Sequence, residues 1–261
     1  MLELTTADIH AWVAGYFWPF IRIAAMLMTI AVIGSQYVAK HVRLVLAVLV
    51  TIVIVPVIPE VPKLDILSID SVLITVQQVL IGIFIGFMTQ LLFQIFVIGG
   101  QIIAMQMGLG FAALVDPQNG FVVTGVSQVY FIMVALLFFT MNGHLVFIQM
   151  VAESFMILPI TADNVLSMQF IWLMLEKFSW VFAKAVLIAL PAILSLLLIN
   201  FAFGVMSRAA PQLNVFSIGF PTTLLMGAVV IAFVVFIINE HFQSYFVEIS
   251  QLTYQMIQGM S

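Results

Sequence analysis

Cysteine is absent from this sequence, which removes disulfides, thiolate metal sites and cysteine nucleophiles in one step. Charge is nearly as scarce. Seven Lys and Arg stand against eleven Asp and Glu, and charged residues make up 7% of a 261-residue chain, where a soluble domain carries about 25%. So small a cationic complement offers no basic surface to neutralise phosphates, which excludes nucleic acid as a partner. No glycine-rich phosphate loop, nucleophile elbow or paired-carboxylate constellation is present. The four histidines do not stand at metal-ligand spacing with one another or with a carboxylate. The reading is therefore of a non-enzyme with no metal and no cofactor.

What is present is apolar: 64% of the residues. A charge-poor apolar run of about 18 to 20 residues crosses a hydrocarbon core about 30 Å thick. Runs of that kind fall near residues 9–34, 44–59, 71–115, 118–152, 185–207 and 209–239. The fold class expected is an all-α membrane protein, with lipid as its surroundings and no room for a sizeable water-soluble domain. Glu3 and Asp8 stand where a secretory signal would need Lys or Arg, so the first segment is expected to remain in the mature protein.

The run from Ser71 to Val115 would be about 68 Å long as one straight helix, roughly twice the hydrocarbon thickness. It must break or be sheathed by protein. Gly99-Gly100, then Gly108 and Gly110, are the expected break points. Asp116-Pro117-Gln118-Asn119-Gly120 is turn chemistry, and Asn142-Gly143-His144 interrupts the next run. The polar stretch 161–177 reads as an exposed connector, followed by helices near 178–207 and 217–247. Loop charge sets no topology: Lys40, Arg43 and Arg208 fall on one side, Lys63, Lys177 and Lys184 on the other.

Three features invite a role. Gln78, Gly82, Gly86, Gln90 and Gln94 form a row at i+4 spacing, a ridge that suits a protein neighbour, either within the chain or across a subunit seam. Arg22 and Lys184 lie inside apolar segments, where a charge at the bilayer centre costs about 2.5 to 3.5 kcal/mol on insertion scales. Each needs a counter-charge, an aqueous pathway or a snorkelling route; Glu153, Glu176 and Glu240 are the candidate carboxylates. Met105-Gln106-Met107-Gly108-Leu109-Gly110-Phe111 sets flexible thioethers and an aromatic ring beside glycines, a composition that serves either core packing or a deformable seal.

The stretch from Gly100 through Met105-Gln106-Met107-Gly108-Leu109-Gly110-Phe111 to Asp116-Pro117 resembles the central signature of the FliR family of type III secretion export-gate subunits, whose injectisome counterparts are SpaR and YscT. Asn142-Gly143-His144, Ser154-Phe155 and Pro159 follow at that family's spacing. Asn200-Phe-Ala-Phe-Gly204 and Arg208-Ala-Ala-Pro211-Gln212-Leu-Asn214 to Gly219-Phe220-Pro221 extend the resemblance over essentially the whole chain. It implies an inner-membrane subunit at the flagellar basal body that passes unfolded flagellar proteins. One copy would close a helical hetero-oligomer with several copies each of FliP and FliQ, and would contact FlhB. It also implies long broken helices arranged as hairpins, a FliP-like part at 1–177 followed by a FliQ-like part at 178–261. The plug loop would lie at 105–120, with Met105, Met107, Gly108, Gly110, Phe111, Asp116 and Pro117 at the gate. Two other readings stand beside it: a small secondary transporter using Arg22 and Lys184, its broken helices suiting a midplane site, and a membrane scaffold whose odd residues serve packing alone.

Overall fold

The computed structural model describes residues 6–35, 37–59, 68–109, 124–161, 168–209 and 215–259. Among the described residues all regular structure is helical: α1 (Thr6–Thr29), α2 (Lys40–Ile54) with a 3-10 turn at Val55–Val57, α3 (Ile69–Gln106), α4 (Gly125–Thr140), α5 (Gly143–Ile157), α6 (Met168–Ala209) and α7 (Val215–Gln258). Among the described residues, four segments are long and apolar enough to cross a membrane: Lys40–Val57, Ile69–Gln106, Met174–Ala209 and Gly219–Gln258. The pair α4 and α5, bent by 64° at its break, would make a fifth. A helix carries its own backbone hydrogen bonds into lipid, which is why so apolar a chain takes this form.

α3 differs from the other three. At 38 residues it is about 57 Å long, and 67% of its most apolar window is buried, against 17 to 22% for the others. The excess length is accommodated by protein cover.

The chain divides into two compact units, each assembled from separate stretches of sequence. One comprises residues 1–91, 138–176 and 248–261; the other comprises 92–137 and 177–247. Both draw on residues before and after 177.

In the first unit α1 and α3 run parallel along a continuous seam. Trp18 Nε1 donates to Thr75 Oγ1 at 3.3 Å, Gln90 Nε2 to Thr29 O at 2.6 Å and the Ala31 amide to Thr89 Oγ1 at 2.8 Å. Both residue numbers rise together along these contacts, which fixes the direction. Trp18, Ile23, Met26 and Leu27 from α1, Phe84, Ile85 and Met88 from α3, and Phe147, Val151 and Phe155 from α5 are fully buried in this unit. The α1–α2 turn is closed by Arg43. Its guanidinium donates to the carbonyls of Gly34, Ser35 and Val38 at 2.8 to 3.1 Å, so this cation is spent on loop carbonyls that no helix ladder satisfies.

In the second unit Phe96 packs on Phe242 and Tyr245, with ring centroids 5.9 and 6.2 Å apart, and Phe93 packs on Phe131 at 5.6 Å.

Two sequence expectations are corrected here. α3 runs unbroken through Gly99-Gly100. Those glycines admit neighbouring backbone: a Cβ at Gly100 would lie 2.9 Å from Ser127 Cα, and one at Gly99 would lie 3.3 Å from Ala185 O. A glycine pair inside a helix marks close approach here, and the ladder of α3 holds because its neighbours pack against it. The stretch 161–177 is not wholly a connector, since α6 starts at Met168 and carries Glu176 and Lys177. The break at Asn142-Gly143 stands: Asn142 is left-handed with φ 55° and ψ 28°, a conformation that Asn tolerates better than most residues. Gly143 lies under the Phe138 ring, where any Cβ would collide.

Candidate functional site

The row Gln78, Gly82, Gly86, Gln90 and Gln94 meets α1 over four of its five positions. A Cβ at Gly82 would strike Arg22 O and the Ala25 methyl, and one at Gly86 would strike Thr29 Oγ1 and lie 2.7 Å from Met26 O. The backbones of α1 and α3 touch here, and only glycine allows it. Gln78 is 1% exposed; Gln90 and Gln94 are exposed.

Gln78 belongs to the environment of Arg22, a connection that sequence spacing did not reveal. Arg22 is fully buried. Its Nε donates to Gln78 Oε1 at 2.7 Å, Nη1 to Ser154 Oγ at 3.0 Å and Nη2 to Leu158 O at 2.9 Å. The guanidinium carbon lies 4.1 Å from the Phe155 ring centroid, within cation–π range. No carboxylate is among these partners. Leu158 is the C-cap of α5, so the cation sits at the negative end of a helix dipole, worth up to about 2 kcal/mol in partly buried geometry. Ser154 and Phe155 are sequence-motif residues, and here they form two walls of the Arg22 site.

Lys184, in the second unit, is half-buried. Its Nζ lies 4.8 Å from the Tyr245 ring centroid and 5.7 Å from that of Trp180. Arg22 and Lys184 thus belong to different compact units.

The end of α3 carries the methionine–glycine segment. Leu109 N donates to Ala104 O and Gly108 N to Met105 O, both at 3.0 Å, while Gly108 holds φ 87°. This pair of bonds around a left-handed glycine is a Schellman ending, which satisfies carbonyls that the helix leaves without partners. Gly108 is therefore the residue at which the overlong helix stops. Met105 is 62% exposed and Met107 only 4%. Met107 packs against α7 at Gly227, where a Cβ would lie 2.5 Å from Met107 Cγ and 2.6 Å from Cε. Gly110, Phe111, Asp116 and Pro117 lie outside the described residues, as do Pro211, Gln212 and Asn214.

The Met105–Gly108 segment borders a cavity of about 440 Å³. Asn200, Phe203 and Gly204 of α6 and Gly219, Phe220 and Thr223 of α7 complete its lining. Residues about a hundred positions apart in sequence, around Gly108 on one side and Gly204 and Phe220 on the other, thus face one space. Its described lining holds no ionisable side chain. The thioethers on such a surface can change shape at little energetic penalty.

At the start of α4, Gln101 Oε1 accepts from Thr124 N at 3.4 Å, Thr124 Oγ1 at 3.2 Å and Ser127 Oγ at 3.2 Å. Near the α4–α5 break, His144 packs on the Phe139 ring with centroids 5.2 Å apart, and its buried Nδ1 has no hydrogen-bond partner.

The family model described as bacterial export proteins, family 1, matches residues 13–249. The flagellar biosynthetic protein FliR of Pectobacterium carotovorum subsp. carotovorum is 35% identical over 261 residues, covering 100% of this chain and 99% of that protein. FliR of Escherichia coli (strain K12) is 36% identical over 257 residues, covering 98% of each. FliR of Bacillus subtilis (strain 168) is 26% identical over 216 residues, covering 81% of this chain and 82% of that protein. The chain belongs to the bacterial export proteins, family 1, the family of the flagellar biosynthetic proteins FliR.

Proposed function

We propose that this chain is a subunit of the flagellar type III protein export gate, forming with FliP and FliQ the pore through which unfolded flagellar subunits leave the cytoplasm. The observation that carries the coarser statement, a component of the flagellar export apparatus, is the family match over residues 13–249 together with relatives of matching length named for flagellar biosynthesis. In the finer reading one copy of the chain joins several copies each of FliP and FliQ in the bacterial inner membrane and contacts FlhB. Residues 1–177 are its FliP-like part and 178–261 its FliQ-like part.

The gate element is the segment Met105 to about Gly120. A seal must block ions yet yield to a threading chain. Supporting this role are the glycine-terminated end of α3, the exposed Met105 beside the buried Met107, and the cavity that they border, whose described lining carries no charge. Energy for export comes from elsewhere in the apparatus.

Also supporting a hetero-oligomer is the outer surface of α6 and α7. The apolar segments Met174–Ala209 and Gly219–Gln258 have 36 and 40 residues, about 54 and 60 Å of helix, well beyond one hydrocarbon core. Leu198, Phe201, Leu225, Phe233 and Phe236 are 68 to 80% exposed in the isolated chain. Apolar surface outside the bilayer needs protein cover.

The test is native mass spectrometry of the detergent-purified complex after co-expression with FliP and FliQ. One copy of this chain in a large hetero-oligomer is expected. A monomer or homo-oligomer that excludes both partners would refute the proposal.

A further inference from the structure

We infer that the α1–α2 turn is a strained catch: Arg43 holds Val32 in a left-handed backbone conformation, and loss of the Arg43 contacts lets α2 swing away from α1 about that residue.

Among the described residues other than glycine, only Val32 and Asn142 have positive φ, at 56° and 55°. Asn accepts this conformation because its short polar side chain bonds locally. Valine does not. Its branched Cβ crowds the backbone there, and a β-branched residue in this region persists only where its surroundings hold it.

The surroundings act from both sides. Before Val32, the Ala31 amide donates to Thr89 Oγ1 at 2.8 Å, and Thr89 Oγ1 donates in turn to Gly86 O at 2.6 Å, so α3 fixes the backbone that enters the turn. After Val32, the Gly34 amide donates to Ile30 O at 2.8 Å and the Ser35 amide to Val32 O at 3.2 Å. Gly34 lies so near the end of α1 that a Cβ would be 2.5 Å from both Ile30 O and Met28 O. Arg43 closes the turn from the first turn of α2, with Nη1 on Gly34 O, Nη2 on Ser35 O, and Nε and Nη2 on Val38 O.

The packing of α2 itself is thin. Its buried residues are Ala47, Thr51 and Ile54, one stripe of the helix, and Thr51 spends its hydroxyl on Ala47 O within α2. Val45, Leu49 and Val53, on the opposite side, are 55 to 73% exposed. The 15 residues of α2 make a lever about 22 Å long, so a φ change at Val32 is magnified at its far end. Hinges are a few residues at the ends of elements that absorb such a change. The strain at Val32 favours the swing, and the Arg43 fork opposes it.

The chain contains no cysteine, so Met28→Cys and Val53→Cys, at exposed positions of α1 and α2, give it a single pair of thiols for spin labels. Distances between the labels are measured in the full chain purified from membranes in detergent. The parent is expected to give one narrow distribution. Arg43→Met keeps the side-chain length and removes every donor; it is expected to add a second distance and to shift the ratio of open to closed about tenfold, equivalent to about 1.4 kcal/mol. Adding Val32→Asn supplies a residue that accepts the left-handed conformation, and is expected to return Arg43→Met to the narrow distribution. Val32→Asn alone is expected to raise the melting temperature by about 2 to 4 °C, which carries the test should Arg43→Met fail to fold.

A parent-like distribution in Arg43→Met overturns the inference. So does a double variant as open as Arg43→Met, or a Val32→Asn protein that melts no higher than the parent. None of these readouts depends on export, so their failure leaves the proposed function standing.

Discussion

Replacing Arg22 with Met is the most informative perturbation of the first compact unit. The substitution removes the donors to Gln78 Oε1, Ser154 Oγ and Leu158 O, in a site where Arg22, Gln78 and Ser154 are all buried. Each orphaned buried acceptor costs about 1 to 3 kcal/mol. Loss of the contact with Phe155 adds about 1 to 2 kcal/mol. Working the other way, the desolvation of a buried cation disappears, a term of several kcal/mol. The net expected from these opposing terms is a loss of roughly 2 to 5 kcal/mol. Gln78→Leu on the Arg22→Met background removes one orphan and fills the same volume. The double variant should therefore be about 1 to 2 kcal/mol more stable than the single, a coupling readable in a double-mutant cycle. The assay is thermal unfolding of the detergent-solubilised complex, with membrane abundance as a second readout. Insertion alone would mislead, because Met enters lipid more easily than Arg. A double variant no more stable than Arg22→Met, or an Arg22→Met protein as stable as the parent, would refute the account. Arg22→Lys is expected to rescue little, since an ammonium cannot reproduce a planar fork that reaches three acceptors.

Other outcomes follow from the glycines. Gly86→Val places a branched side chain against Thr29 and the Met26 carbonyl, and should destabilise the complex by more than about 2 kcal/mol by prising α1 from α3, measured as lost abundance. Gly204→Ala meets nothing within 4 Å and should leave thermal stability unchanged within about 0.5 kcal/mol. Gly108→Ala forces a Cβ into φ 87°, costing about 1 to 2 kcal/mol; the expected result is a raised ion leak with the complex still assembled, and an unchanged leak at full assembly would count against the gate. Gly227→Leu drives a side chain into Met107 and should raise the leak more than Gly204→Ala does, measured in vesicles carrying the export complex.

Much of the candidate site was legible as residues but not as partnerships. The i+4 row identified a ridge on α3 without naming α1 as its neighbour. Arg22 was legible as a charge in need of a counterpart, and carboxylates were the natural candidates. The counterpart is instead a helix C-terminus, an amide, a hydroxyl and a ring, contributed 56 to 136 positions away. Backbone carbonyls leave no mark in a sequence, so a dipole partner of this kind is invisible until the helix that ends there is placed. Gly99-Gly100 was misread for a related reason. Glycine weakens a helix and also permits close packing, and only the neighbours, Ala185 and Ser127, decide between the two.

The sequence by itself determined the helical class, because an apolar chain with 7% charge must satisfy its backbone internally wherever water is excluded. It also determined the break at Asn142-Gly143, where one residue tolerates a left-handed conformation and the next lacks a Cβ, and the family, whose motifs lie in contiguous stretches. Tertiary structure alone decided that α3 runs straight past one glycine pair and stops at Gly108, that the stretches around Gly108 and Gly204 face one cavity, and that Gln101 caps a helix to which it does not belong. Each of these depends on groups brought together by packing across long sequence separations, and local spacing carries no record of such encounters.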